Sequence, residues 1–83
     1  MIIAQGPIVP ACGSAAPWRS VLVQEKGGGH EYVVYAEYFR EDDSSEYTYG
    51  SFCLTLESGW TEFNSRVTAD LKEIKRQEAQ IKD

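Results

Sequence analysis

The chain has 83 residues, a length that allows one small domain with a thin hydrophobic core. Its five tyrosines, three phenylalanines and two tryptophans exclude a disordered polymer. A formal net charge of −5 excludes ordinary binding to the phosphate backbone of nucleic acids, because such binding requires clustered lysines and arginines.

The first seventeen residues are apolar but are interrupted by Pro7, Pro10 and Pro17. Prolines at these positions exclude a transmembrane helix, and the segment lacks the positive start and the unbroken apolar run of a signal peptide. We therefore expect residues 1–17 to form an arm or a short strand against a sheet, in a cytoplasmic protein with no membrane partner.

The chain contains two cysteines, Cys12 and Cys53, which are too few for a disulfide framework and lack the spacing of a metal site. We expect reduced thiols, and a disulfide between the two remains an alternative. A nucleophilic cysteine would need a base, and the only histidine is His30, which is expected to begin a strand. No cofactor is expected.

Three strands are predicted, at residues 18–25, 30–39 and 46–53. Gly27, Gly28 and Gly29 separate the first two strands and favour a hairpin turn. A phosphate-binding loop would instead lead into a helix. The second strand is apolar on both faces, which is typical of a central strand.

A helix is predicted over residues 56–80, with the hydroxyl of Thr55 as its N-cap. Its apolar residues recur at helical spacing. They are Leu56, Trp60, Phe63, Val67, Leu71, Ile74 and Ile81. Because Asp70 and Gln77 interrupt a strict heptad pattern, packing on a sheet is favoured over a coiled coil.

The elements predict an α+β fold of one domain over residues 1–83: a three-stranded antiparallel meander with one C-terminal helix packed on one face. The helix is expected to cover the sheet face that carries Val34, Ala36, Phe52 and Leu54, and a different strand register would reverse the two faces. The opposite face is expected to carry Val33, Tyr35, Glu37, Phe39, Tyr47 and Tyr49.

This β-β-β-α order resembles the arm-type DNA-binding domains of phage integrases, in which a strand runs into a short Thr-capped helix much as YGSFCLTLESGW does here. The resemblance is one of topology. Those domains read DNA with basic and polar side chains on the exposed sheet face, whereas the face here is acidic, so we do not expect their function.

Between Glu25 and Glu62 the chain has nine acids and two bases, a net charge of −7. A surface of aromatic residues rimmed by carboxylates is typical of a binding site. We therefore predict a non-catalytic, acidic protein-binding module that docks on a basic surface of a partner protein. The predicted partner-binding residues are Tyr35, Glu37, Phe39, Glu41, Asp42, Asp43, Glu46, Tyr47 and Tyr49.

Small acidic inhibitors made by phages and mobile elements, anti-CRISPR proteins among them, bind in this way, although no sequence motif links the chain to them. An alternative is a homodimeric assembly protein that uses the same aromatic face. We do not expect an enzyme, for which Glu37 beside Tyr35 and Tyr49 would be the only candidate acid or base. A metal site at Asp42, Asp43 and Glu46 is not expected either, because the glycine and spacing of a calcium loop are missing.

Overall fold

The structure, a computed structural model, describes residues 1–13, 15–25 and 31–81. Its elements are β1 (Ile2–Gln5), β2 (Trp18–Gln24), β3 (Tyr32–Phe39), β4 (Ser45–Cys53) and α1 (Leu56–Ile81). The α+β fold and its C-terminal helix are confirmed. The sheet, however, has four antiparallel strands in the order β1-β2-β3-β4, one more than predicted. The predicted glycine turn and His30 lie outside the described residues.

The additional strand, β1, comes from the N-terminal arm. Ile2 pairs with Val23, and Ala4 pairs with Leu22 after an irregularity in the register. Further along the arm, Val9 forms a β-bridge to Trp18 and is buried. The prolines disfavour a helix in this segment. The segment instead pairs with the free edge of β2, which partly buries its apolar residues.

The two central strands, β2 and β3, supply most of the core. On one side of the sheet Val21, Val23 and Val33 form a buried cluster with Tyr35 packed against it. On the other side Leu22 and Val34 pack against Phe63 of α1, with Ile3, Ala4, Tyr32 and Val67 around them. The prediction that the helix covers the Val34 side is therefore confirmed.

The start of α1 is set by Thr55, as predicted. Its Oγ1 accepts a hydrogen bond from the backbone N–H of Ser58 at 3.1 Å, which satisfies one of the free amides of the first turn. Gly59 is buried where the helix crosses the sheet, and a Cβ atom there would lie 3.0 Å from Cδ1 of Leu22. A glycine therefore lets the helix approach the sheet closely at this point.

A β-bulge interrupts the pairing of β3 with β4. Two register pairs flank it: Val34 with Ser51, and Ala36 with Thr48. Tyr49 and Gly50 together therefore lie opposite the single residue Tyr35. Tyr49 takes a left-handed backbone conformation with φ of 55°. An extra residue of this kind reverses the side-chain alternation of the strand beyond it.

The predicted position of Phe52 is wrong because of the bulge. Beyond it, Phe52 pairs with Val33 on the side of the sheet away from the helix. Phe52 is 59% exposed and Leu54 is 67% exposed, so the prediction that both lie in the core under the helix is wrong. The prediction assumed an unbroken alternation along residues 46–54, which the bulge at Tyr49 and Gly50 does not allow.

Candidate partner-binding surface

The sheet side that α1 does not cover is called the open face below. Four of the predicted site residues lie on it, because strand register and alternation bring them together. They are Tyr35, Glu37, Phe39 and Tyr47. Phe52 joins them, and the valine cluster of β2 and β3 lies between and beneath them.

The central feature of the open face is a stack of two tyrosine rings. The ring centroids of Tyr35 and Tyr47 are 5.3 Å apart, and the ring planes meet at 18°. The Tyr35 ring also lies across Gly50, and its hydroxyl donates a hydrogen bond to Oε1 of Glu25 at 2.7 Å. This hydrogen bond, together with burial, raises the pKa of Tyr35, because both favour the protonated phenol. The Tyr35 ring is thus held by its contacts with Tyr47, Gly50 and Glu25.

Glu37 is held in an ion pair within the open face. Its Oε1 accepts a hydrogen bond from Nε of Arg19 at 2.7 Å, and Glu37 is 6% exposed. The Arg19 guanidinium lies 5.2 Å from the centroid of the Phe39 ring, in cation–π geometry. Glu37 therefore organises this face internally, and its charge is already compensated by Arg19.

The turn between β3 and β4, residues 40–44, is called the acidic turn below. Asp42 Oδ1 accepts a hydrogen bond from the backbone N–H of Ser44 at 3.1 Å, and Asp43 takes a left-handed conformation with φ of 66°. Hydrogen bonds from Ser44 lower the pKa of Asp42. The side chains of Glu41, Asp42 and Asp43 are all exposed. The acidic turn therefore presents three carboxylates beside the Phe39 end of the open face.

Two predicted site residues lie elsewhere. Glu46 pairs in register with Tyr38 on the helix side, and its carboxylate is bound by Arg40. Tyr49 also turns toward the helix, where its ring makes an edge contact with Tyr38 at 6.2 Å between centroids. The bulge explains the position of Tyr49. It also separates Tyr49 from Glu37, its predicted neighbour, whereas Tyr35 remains on the same side of the sheet as Glu37.

The rim of the open face carries carboxylates that are in no ion pair of the described part of the chain. Among the described residues, the ion pairs of the sheet are Arg19 with Glu37 and Arg40 with Glu46. None of the ion pairs between described residues uses the rim carboxylates. These are Glu25 and Glu31 at one end of the strands, and Glu41, Asp42 and Asp43 at the other.

Sequence reasoning missed two residues of this surface, Ile2 and Phe52. Both are exposed, and each pairs in register with a valine of the buried cluster. The signal that could have located Phe52 is Gly50, because a glycine inside a strand pattern often marks a bulge. For Ile2, the signal is the apolar run IIA at the start of the chain.

The described residues also bear on metal binding, on the cysteines and on membrane-spanning helices. Within residues 1–13, 15–25 and 31–81, no cluster of histidine, cysteine, aspartate and glutamate side chains could hold a metal ion. Cys12 and Cys53 are free, so the alternative of a disulfide between them is not realised. In the same residues, no helix is long and apolar enough to cross a membrane.

The open face therefore combines a stacked pair of tyrosines, a neutralised internal ion pair and a rim of carboxylates that take part in no ion pair between described residues. Such a surface can bind a partner by apolar contact and by attraction to cations. Comparison of the chain with models of protein families, with curated proteins and with solved structures found no match.

Proposed function

We propose that the protein is a non-catalytic binding module that docks its open face and acidic turn on a basic surface of another protein. The observation that carries this proposal is that α1 covers one side of the sheet only. On the other side Tyr47 and Phe52 remain 43% and 59% exposed, next to carboxylates that form no ion pair with a described cation.

The apolar part of the proposal rests on the tyrosine stack. Tyrosine is enriched in the cores of protein interfaces, where it buries a large area with few rotatable bonds. Tyr47 is already ordered by Tyr35, so binding costs little side-chain entropy. Exposed Ile2 and Phe52 extend the apolar surface across the sheet.

The charge of the rim favours a basic partner. Among the described residues, the two arginines of the sheet and its turns, Arg19 and Arg40, form ion pairs with glutamates. The rim carboxylates therefore make the local electrostatic potential negative. A concentrated negative surface accelerates association with a positive one and rejects acidic partners. A basic protein surface that normally holds nucleic acid has this complementary charge, so inhibition of a nucleic-acid-binding protein, as by phage or mobile-element inhibitors, is the specific function we propose.

Capture from a lysate of the native host, followed by purification of the captured protein, tests the proposal. The informative variant is Glu41→Gln/Asp43→Asn, which removes two rim charges and leaves Asp42 to hold the acidic turn. The matched control is Glu57→Gln/Glu78→Gln, which removes two exposed charges from α1. A basic partner that the first variant loses and the control retains supports the proposal. Equal retention by both variants would exclude the acidic turn as part of the site.

Self-association through the open face is the second candidate, and the exposed Ile2, Tyr47 and Phe52 are the observation in its favour. The rim argues against it. Two copies placed face to face would bring the rim carboxylates together, and like charges in an interface oppose binding.

A further inference from the structure

A separate pocket lies on the helix side of the sheet, at the end nearest the acidic turn. It has a volume of about 270 Å³, which fits the head of one side chain better than a larger metabolite. Its lining is mainly aromatic and small apolar, with a carboxylate and a guanidinium. The lining residues are Trp18, Ser20, Ala36, Tyr38, Tyr49, Arg66, Ala69 and Asp70. It is called the aromatic pocket below.

Three aromatic rings form the walls of the aromatic pocket; Trp18 and Tyr38 are partly buried, and Tyr49 is 74% exposed. The centroids of Trp18 and Tyr38 are 6.1 Å apart, and those of Tyr38 and Tyr49 are 6.2 Å apart with the planes at 65°. The third wall exists because the bulge turns Tyr49 to the helix side. Its unusual backbone conformation is held by Arg66, which donates a hydrogen bond to the carbonyl oxygen of Tyr49 at 2.7 Å.

Asp70 is the acidic group of the aromatic pocket and is 2% exposed. Among the described residues it receives one hydrogen bond, from Oγ of Ser20 to Oδ2 at 2.7 Å. Burial raises the pKa of Asp70 by disfavouring the ionised carboxylate, and the hydrogen bond from Ser20 and the positive charge of Arg66 offset this rise only in part. A cation delivered to the pocket would restore part of that lost stabilisation.

Arg66, the cation already present, is committed to other groups. It donates to Glu62 at 2.9 Å and to Oγ of Ser51 at 2.6 Å, in addition to the Tyr49 carbonyl. It therefore fixes β4 to the helix and is poorly placed to receive an anionic ligand. The rings and Asp70 remain as the groups that can interact with a guest.

We propose that the aromatic pocket binds an alkylammonium group, with the three rings around its methyl groups and Asp70 as its counter-ion. Ring faces attract organic cations, and quaternary ammonium groups are recognised by aromatic cages. Ser20 and the positive charge of Arg66 offset the burial of the Asp70 carboxylate only in part, and a neutral apolar group would use the rings but would add nothing to that compensation. The inference does not depend on the proposed function, because the pocket and the open face are on opposite sides of the sheet.

The test is a titration with choline, with an N-acetylated trimethyllysine amide and with 3,3-dimethylbutan-1-ol, the neutral isostere of choline. Fluorescence of Trp18 reports binding in a Trp60→Phe background, because Trp60 packs on Phe63 and does not line the pocket. We expect both cations to bind, and the isostere to bind about tenfold more weakly. Equal binding of choline and the isostere, or no response to either cation, would overturn the proposal.

Two variants locate the site. Asp70→Asn should reduce the preference for choline over its isostere, and Tyr49→Asn should weaken both cations by about tenfold while suiting the left-handed backbone. Tyr47→Asn, on the open face, should leave the titration unchanged. The comparison of choline with its isostere in the unmodified pocket tests the proposal even if a variant fails to fold.

The two cationic ligands distinguish the possible natural guests. Tighter binding of the trimethyllysine compound supports a protein side chain as the natural guest, and tighter binding of choline supports a small molecule.

Discussion

Gly50 lies beneath the ring of Tyr35, so closely that a Cβ atom at Gly50 would come within 2.9 Å of the ring carbon Cε1. This contact links the bulge to the open face. The bulge places Gly50 opposite Tyr35, and the missing side chain lets the Tyr35 ring lie flat and stack on Tyr47. One irregularity in β4 thus determines which aromatic residues face each side of the sheet.

Gly50→Ala should destabilise the protein by about 1–2 kcal/mol, because the added methyl group displaces a ring that is also held by Tyr47 and Glu25. Urea unfolding measures the change in free energy. The same substitution in a Tyr35→Leu background should cost much less, since the ring is gone. An equal cost in the two backgrounds would mean that the Tyr35 contact is not the cause.

Glu37→Gln should destabilise the protein by about 1–3 kcal/mol, because it leaves the guanidinium of Arg19 without its negative partner in a poorly solvated position. Glu41→Gln is the control. Glu41 is exposed, so its effect should stay within about 0.5 kcal/mol. Chemical denaturation of the two variants tests this, and similar stabilities would show that the Arg19–Glu37 pair contributes nothing.

Asp70→Asn should stabilise the protein at neutral pH. Burial raises the pKa of Asp70 above its usual 3.8, so the folded state binds the proton more tightly than the unfolded state does. Protonation of Asp70 therefore stabilises the folded protein. This stabilisation is fully present below the pKa of Asp70 in the unfolded chain and is lost as the pH rises through the pKa of Asp70 in the folded protein. The advantage of the asparagine variant should therefore shrink as pH falls toward 3.8. Thermal unfolding across this range checks it, and an advantage independent of pH would point to a cause other than ionisation.

Much of the fold follows from local pattern. The helix start at Thr55, the central position of β3 and the helix-covered side with Val34 and Ala36 are all predicted, because caps, two-sided apolar strands and helical spacing are encoded within a few residues. The bulge is different. Its position depends on how Tyr35 and Gly50 pack across two strands, and a shift of one residue moves every later side chain to the other face.

The same limit applies to the candidate sites. Tyr35, Glu37, Phe39 and Tyr47 were placed together by alternation alone, and the structure brings them together. Pairing partners were not predictable, because Arg19 reaches Glu37 from a neighbouring strand and Ser20 meets Asp70 from fifty residues away in the chain. The aromatic pocket needed both the bulge and the helix position, so no sequence pattern indicated it.

The protein should be a monomer at high micromolar concentration. Self-association through the open face would oppose the carboxylates of two rims, and that repulsion is strongest at low ionic strength. Static light scattering measures the molar mass directly. A dimer that forms at low salt and is lost in Phe52→Ser would contradict this expectation and would favour the assembly function.

The most direct test of the proposed function is the salt dependence of partner affinity. Calorimetric titration of the captured, purified partner should give an affinity that falls steeply as ionic strength rises. At low salt, Glu41→Gln/Asp43→Asn should bind about fivefold or more weakly, while Glu57→Gln/Glu78→Gln should bind as the unmodified protein does. An affinity that is flat between low and high salt, with both double variants equal, would contradict docking of the acidic turn on a basic surface.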